Sequence, residues 1–144
     1  MKKIGIINYG LGNLFSIKSA CNQVGMKGII VDEKKDLLNS DAIILPGVGA
    51  FNVAMDKIKK KKLNVFIKEF VKTGKPIIGI CLGMQLFFDR SHENISTQGL
   101  GLIQGDVKFF NLSNSLNIGW YSIKKKRDEK ILNSIKNLSH MYFV

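Results

Sequence analysis

Short runs of β-branched residues alternate along this chain with segments of helical period, and most of the runs end at a glycine-containing turn. That order restricts the fold to the α/β class, built on a mostly parallel sheet. Residues 3–8 form the first expected strand, apolar enough for burial on both faces. The turn Tyr9-Gly10-Leu11-Gly12-Asn13 follows. Leu14, Ile17, Ala20, Cys21 and Val24 then recur at helical spacing, and Gly25 suits the helix stop. Residues 28–31 and 41–45 are further strands, with a helical turn at 36–38 between them. Helices are expected over 51–60 and 63–72, separated by a charged break. A turn at Gly74-Lys75-Pro76 leads to a buried strand over 77–80, which runs straight into Cys81-Leu82-Gly83 and a helix over 84–88. Beyond a polar loop the pattern predicts strands over 107–110, 121–124 and 141–144, with a helix over 129–135. No internal repeat or linker interrupts the series, so the 144 residues read as one domain spanning 1–144.

Composition excludes several classes of function. Hydrophobic residues make up 45% of the chain and charged residues 23%, unlike a disordered or fibrous protein. No apolar run approaches the ~20 residues of a membrane span. The basic start Met1-Lys2-Lys3 precedes an apolar stretch that Asn8 interrupts early, so no secretory leader is expected and the cytoplasm is. The net charge of +11 invites a nucleic-acid reading. Much of the excess, however, sits at 57–62 and 124–127, with no aromatic residue interleaved for base stacking. Solvated element ends account for those runs, and neither nucleic acid nor membrane is expected as a partner. The charge still favours an acidic partner or an anionic substrate. The two cysteines, Cys21 and Cys81, and the two histidines, His92 and His140, show no metal-ligand spacing. Cys21 lies on the apolar helical face and reads as a core residue.

The chemistry concentrates at Gly79-Ile80-Cys81-Leu82-Gly83. A buried strand delivers a reactive side chain to a sharp turn and a helix leaves at once, which is the geometry of a nucleophile elbow. The flanking glycines permit the turn. The helix N-terminus is expected to favour thiolate over thiol at Cys81, and the Leu82 N–H to face an oxyanion at the attacked carbon. A buried cysteine at the end of a core strand would show the same spacing. Pro46-Gly47-Val48-Gly49-Ala50-Phe51 lies at the carboxyl end of another strand, where open α/β sheets bind ligands. By itself it serves equally as a plain strand-to-helix loop; beside a cysteine elbow it offers a second oxyanion donor. Gln85 stands four residues after Cys81, on the same side of the helix start, and reads either as a substrate contact or as a surface glutamine.

Gly79-Ile80-Cys81-Leu82-Gly83-Met84-Gln85 resembles the nucleophile motif of the class I, triad-type glutamine amidotransferases. The opening 4–13, the loop 45–51 and Gly99-Leu100-Gly101-Leu102-Ile103 narrow the likeness to the glutaminase subunits of imidazole glycerol phosphate synthases, over essentially the whole chain. The resemblance implies a flavodoxin-like amidotransferase domain that hydrolyses glutamine to glutamate and ammonia and needs no cofactor. It implies a heterodimer with a (β/α)8-barrel cyclase, which uses the ammonia to make imidazole glycerol phosphate and aminoimidazole carboxamide ribotide in histidine biosynthesis. By motif position Cys81 matches the nucleophile, and Gly49 and Leu82 match the oxyanion donors. Gln85 and Glu93 match glutamine-binding positions, and Asn13 and Trp120 match the face that meets the cyclase.

The resemblance is incomplete in three places. The family completes its triad with a His-x-Glu pair, and neither His92 nor His140 is followed two residues later by glutamate; both read as surface histidines. The end at Met141-Tyr142-Phe143-Val144, within an apolar run, is expected to mark a truncated protein or fragment, with little or no activity by itself. Asn117-Ile118-Gly119-Trp120-Tyr121 carries Tyr121 where the family usually has asparagine. That last change leaves open a paralogous amidotransferase that feeds ammonia to surface-polysaccharide sugar modification. A non-catalytic docking module is the other alternative.

Overall fold

The computed structural model describes residues 1–109, 118–127 and 130–144. The chain groups into two compact units, Met1–Phe109 and Phe110–Val144, where the sequence reads as one domain.

The first unit is built on four parallel strands: β1 (Lys3–Ile7), β2 (Lys27–Val31), β3 (Ala42–Leu45) and β4 (Ile77–Gly79), in the order β2-β1-β3-β4. Helix α1 (Leu14–Gln23) joins β1 to β2, α2 (Lys34–Leu38) joins β2 to β3, and α3 (Phe51–Lys60) with α4 (Leu63–Lys72) joins β3 to β4. The direct partners Ile6, Ile30, Ile44 and Ile78 share one face of the sheet. Ile7, Val31, Ile43 and Leu45 lie on the other, packed with Leu37, Met55, Ile58, Ile67 and Phe70.

Local chemistry explains the helix ends. Asn13 caps α1, its side-chain oxygen accepting the Ser16 N–H at 3.1 Å. Lys62, at φ 57°, is left-handed and forms the break between α3 and α4. Helix α1 approaches β2 closely because Gly28 has no side chain: a Cβ there would stand 3.1 Å from Lys18 Cα and 3.2 Å from Cys21 Cβ. Cys21 is buried, as expected. The rest of its expected apolar stripe is not: Leu14 and Ile17 are half-buried, and Ala20 and Val24 are exposed.

After β4 the structure departs further from the periodicity. The helix expected over 84–88 is a single turn, α5 (Leu82–Gln85), and Phe88 already begins a strand. The expected polar loop holds β5 (Phe88–Ser91), β6 (Thr97–Gln98) and the start of β7 (Ile103–Val107), a small sheet in the order β6-β5-β7. Of the strand expected over 107–110, Val107 alone is in a strand, and Phe110 lies outside the described residues. Backbone bonds from Gly99, Leu100, Gly101 and Leu102 to the carbonyls of 86–89 explain that glycine-rich segment: it runs alongside the chain leaving the elbow.

The second unit contains an antiparallel pair, β8 (Gly119–Ser122) and β9 (His140–Phe143). Trp120 packs edge-on against Tyr142, with ring centroids 5.5 Å apart. The helix expected over 129–135 is a 3-10 turn at Lys130–Leu132; Asn117 and Glu129 lie outside the described residues.

Candidate active site

In an open parallel sheet, the crevice for a ligand opens at the carboxyl ends of strands where the chain reverses its direction of winding. Here β1 lies between β2 and β3, so the reversal falls at the loops after β1 and β3, with the end of β4 next to them. Three sequence segments meet there.

The first is the elbow. Ile80 N donates to Leu45 O at 3.0 Å, and the chain then leaves the ladder. Cys81 sits at φ 54°, ψ −121°, a conformation that costs a non-glycine residue about 1–3 kcal/mol. Its thiol is exposed, whereas that of Cys21 is buried. The strain therefore falls on Cys81 itself, and the flanking glycines provide space. A Cβ on Gly79 would stand 2.5 Å from Met84 Cα, and one on Gly83 would run into Leu45 O. Cys81 O accepts from Met84 N at 2.9 Å and Gln85 N at 3.3 Å, and Ile80 O accepts from Gly83 N at 2.9 Å. Leu82 N, the first N–H of α5, has no intrahelical acceptor. Because α5 has only four residues, the field expected from a helix N-terminus reduces to this local N–H.

The second segment is the loop 46–50. Gly47 is pressed onto the elbow: a Cβ there would meet Gly83 N at 2.5 Å and Leu82 Cβ at 2.8 Å. Gly49, two residues on, has φ +86° and open space around it, so backbone conformation alone requires glycine there. Glu93 Oε2 accepts the Phe51 N–H at 2.9 Å, tying the far end of this loop where α3 begins. Ala50, the α3 N-cap, supplies no side-chain bond, so a carboxylate distant in sequence takes that place.

The third is Tyr9, which the sequence shows only as part of a turn. It is 1% exposed, and its hydroxyl donates to Pro46 O at 2.8 Å. Burial, and then the negative charge of Cys81, push its pKa up from 10.0 to about 12. Tyr9 thus remains a neutral donor that anchors the start of the loop. An aromatic directly after the first strand was the available signal; its burial and its hydroxyl partner were not legible.

The structure thus places Cys81, Leu82 and Gln85 on one elbow and attaches to it the loop carrying Gly49, which Glu93 closes. Asn13 is accounted for as the α1 cap, and Trp120 is exposed within the second unit. His92 is exposed and pairs with Asp106, and His140 is exposed in β9. Among the described residues no group of three or more His, Cys, Asp or Glu could hold a metal ion, and no helix is long and apolar enough to cross a membrane.

A cysteine elbow on a parallel α/β sheet, with a glycine loop pressed against it, defines the class. The family model for class-I glutamine amidotransferases matches residues 6–142, and the chain belongs to that family. It is 42% identical over 98% of its length to the imidazole glycerol phosphate synthase subunit HisH of Bacillus cereus, spanning 68% of that protein. It is 43% identical to the HisH subunit of Caldanaerobacter subterraneus subsp. tengcongensis, covering 98% of this chain and 70% of the relative. A solved structure described as a glutamine amidotransferase superposes with a TM-score of 0.69 at 18% identity, covering 83% of this chain and 62% of that one. That likeness is one of fold.

Proposed function

We propose that this chain provides the glutaminase of an imidazole glycerol phosphate synthase in histidine biosynthesis. The observation that carries the reading is the exposed, strained Cys81 on its elbow, in a chain 42% identical to a HisH subunit. As thiolate, Cys81 Sγ attacks the side-chain amide carbon of glutamine. The amide oxygen takes the charge, and the N–H groups of Leu82 and Gly49 stabilise it. The C–N bond then breaks, the nitrogen leaves as ammonia with an added proton, and water cleaves the thioester to glutamate and regenerates the thiol. Gln85 and Glu93 hold the amino-acid end of glutamine. One Glu93 oxygen accepts from Phe51 N, so the substrate ammonium is assigned to the other.

The ammonia passes to a (β/α)8-barrel cyclase, which Asn13 and Trp120 help to dock, and the cytoplasm is the compartment. The surface-polysaccharide alternative is not favoured, since both relatives compared above are named as HisH subunits. Departure of the amide nitrogen as ammonia needs a proton carrier. These 144 residues contain no His-x-Glu pair; of the two histidines, His92 is engaged with Asp106 and His140 lies in β9.

A glutamine analogue bearing an electrophile tests the reading. It should alkylate Cys81 and not Cys21, glutamine should protect, and Cys81→Ala should abolish capture. Equal labelling of the two cysteines, or no protection by glutamine, would overturn it. Glutamate release in the presence of the cyclase should be low for the 144-residue chain and rise when the chain is extended to the length of its relatives. Equal rates would place the base within these residues.

A further inference from the structure

A line of contacts runs from a surface ion pair to the loop of the candidate site. His92 Nε2 lies 2.8 Å from Asp106 Oδ2 in β7. An ionised carboxylate only accepts, so Nε2 carries the hydrogen. His92 N also donates to Val107 O at 3.0 Å, so this residue is held to the end of β7 by both its main chain and its side chain. The next residue is Glu93. Its N–H donates to Ser91 Oγ at 3.2 Å, and Ser91 is 1% exposed. Its Oε2 accepts from Phe51 N, where the loop carrying Gly49 becomes α3.

We infer that His92 is a positioning residue for substrate recognition: its pairing with Asp106 sets the Glu93 carboxylate against Phe51 N, with one oxygen turned to the ligand. The inference rests on the glutaminase reading above and extends it to a residue outside the elbow. The side chains of His92 and Asp106 are 42% and 35% exposed, so either is replaceable without opening the core. The hydrogen bond from His92 holds the Asp106 carboxyl below its ordinary range. Desolvation opposes this, and the charges of His92, Arg90 and Lys108 add to it. Arg90 on β5 and Lys108 after β7 are thus the other charged groups acting on the pair.

The test compares two electrophiles on Cys81 of the full chain at fixed pH: the glutamine analogue, which needs Glu93, and iodoacetamide, which does not. His92→Ala and Asp106→Ala should each raise the half-saturating analogue concentration about three- to fivefold, the range of a partly exposed ion pair. The limiting capture rate and the iodoacetamide rate should stay unchanged. The double variant should be no worse than either single one, and His92→Gln, which keeps an N–H donor, should recover most of the loss. Unchanged saturation in His92→Ala overturns the inference. So does an equal slowing with both electrophiles, which would mean that the elbow itself has loosened. If the unaltered chain captures no analogue, the glutaminase reading falls and this inference with it; if it captures the analogue and His92→Ala does so identically, this inference alone falls.

Discussion

The two faces of the parallel sheet are unequally covered. On one, Ile7, Val31, Ile43 and Leu45 are buried in a cluster with α2, α3 and α4, and Tyr9, Phe51, Leu82 and Leu86 belong to the same cluster. On the other, Ile4, Ile44 and Cys21 form a small cluster beneath α1, while Ile30 and Ile78 are 43% and 46% exposed. The face that carries most of the core is thus also the face whose residues build the site. Nucleophile, loop and hydrophobic core share one packing arrangement, so a change that loosens that face should cost stability and site geometry together. On the opposite face Ile6 is fully buried, but the half-exposed positions Ile30 and Ile78 should be tolerant.

The largest effect should come from Ile43→Ala. The side chain is fully buried on the site face, and deleting it should destabilise the chain by about 3–4 kcal/mol in denaturant titration. Next is Gly83→Ala. A Cβ there would run into Leu45 O and stand 2.8 Å from Leu45 C, both backbone, so the helix or the strand must move. A loss of about 2–3 kcal/mol is expected, together with slower alkylation of Cys81. A Gly83→Ala chain as stable and as reactive as the original would show that elbow and core are independent.

Tyr9→Phe should cost about 1–2 kcal/mol, because Pro46 O loses its buried donor. It should also alter the alkaline limb of stability. The folded-state pKa of Tyr9 is raised from 10.0 to about 12. The phenol therefore contributes fully below pH 10, and its contribution is lost as pH rises from 10 towards 12. Tyr9→Phe should flatten stability across that window. An unchanged alkaline profile would remove Tyr9 from the site-face core.

Most of the site face was legible in the sequence. The bounds of α3 and α4 match the hydrophobic period, because their apolar stripes are strong and the lysine-rich break coincides with left-handed Lys62. The elbow was legible because spacing alone demands small residues around Cys81. Where tertiary pairing decides, the sequence was silent. Met84 to Phe88 has helical composition, yet Phe88 pairs with Ile103 and becomes strand. Asp89 and Arg90 give no strand alternation; their place in β5 is set by the bonds to Gly99 and Gly105 and the pairing with Gln98 and Asp106. Ala20 and Val24 fit a helical stripe, but α1 presses Cys21 into the sheet over Gly28 and leaves them in solvent. His92 read as a surface histidine, and it is exposed; its Asp106 partner, fourteen residues away, had no local signal.

The smallest effect should be at Ile78, which makes the comparison quantitative because it matches Ile43 in residue type and stands on the neighbouring strand of the same sheet. Ile43 pairs with Ile77, so Ile78, one residue on, points to the opposite face. There it is 46% exposed, on the outermost strand β4. About half of its side chain has no burial to lose, and truncation leaves no closed cavity, since solvent fills the space. Ile78→Ala should therefore cost about 1 kcal/mol or less, and Cys81 alkylation should keep its rate. The ratio of the two losses, Ile43→Ala to Ile78→Ala, measures the asymmetry without reference to an absolute scale. A ratio of about 3 or more follows from these burials. A ratio near 1 would mean that the Ile78 face is packed in solution as tightly as the Ile43 face, and the assignment of core and site to a single face would have to be abandoned.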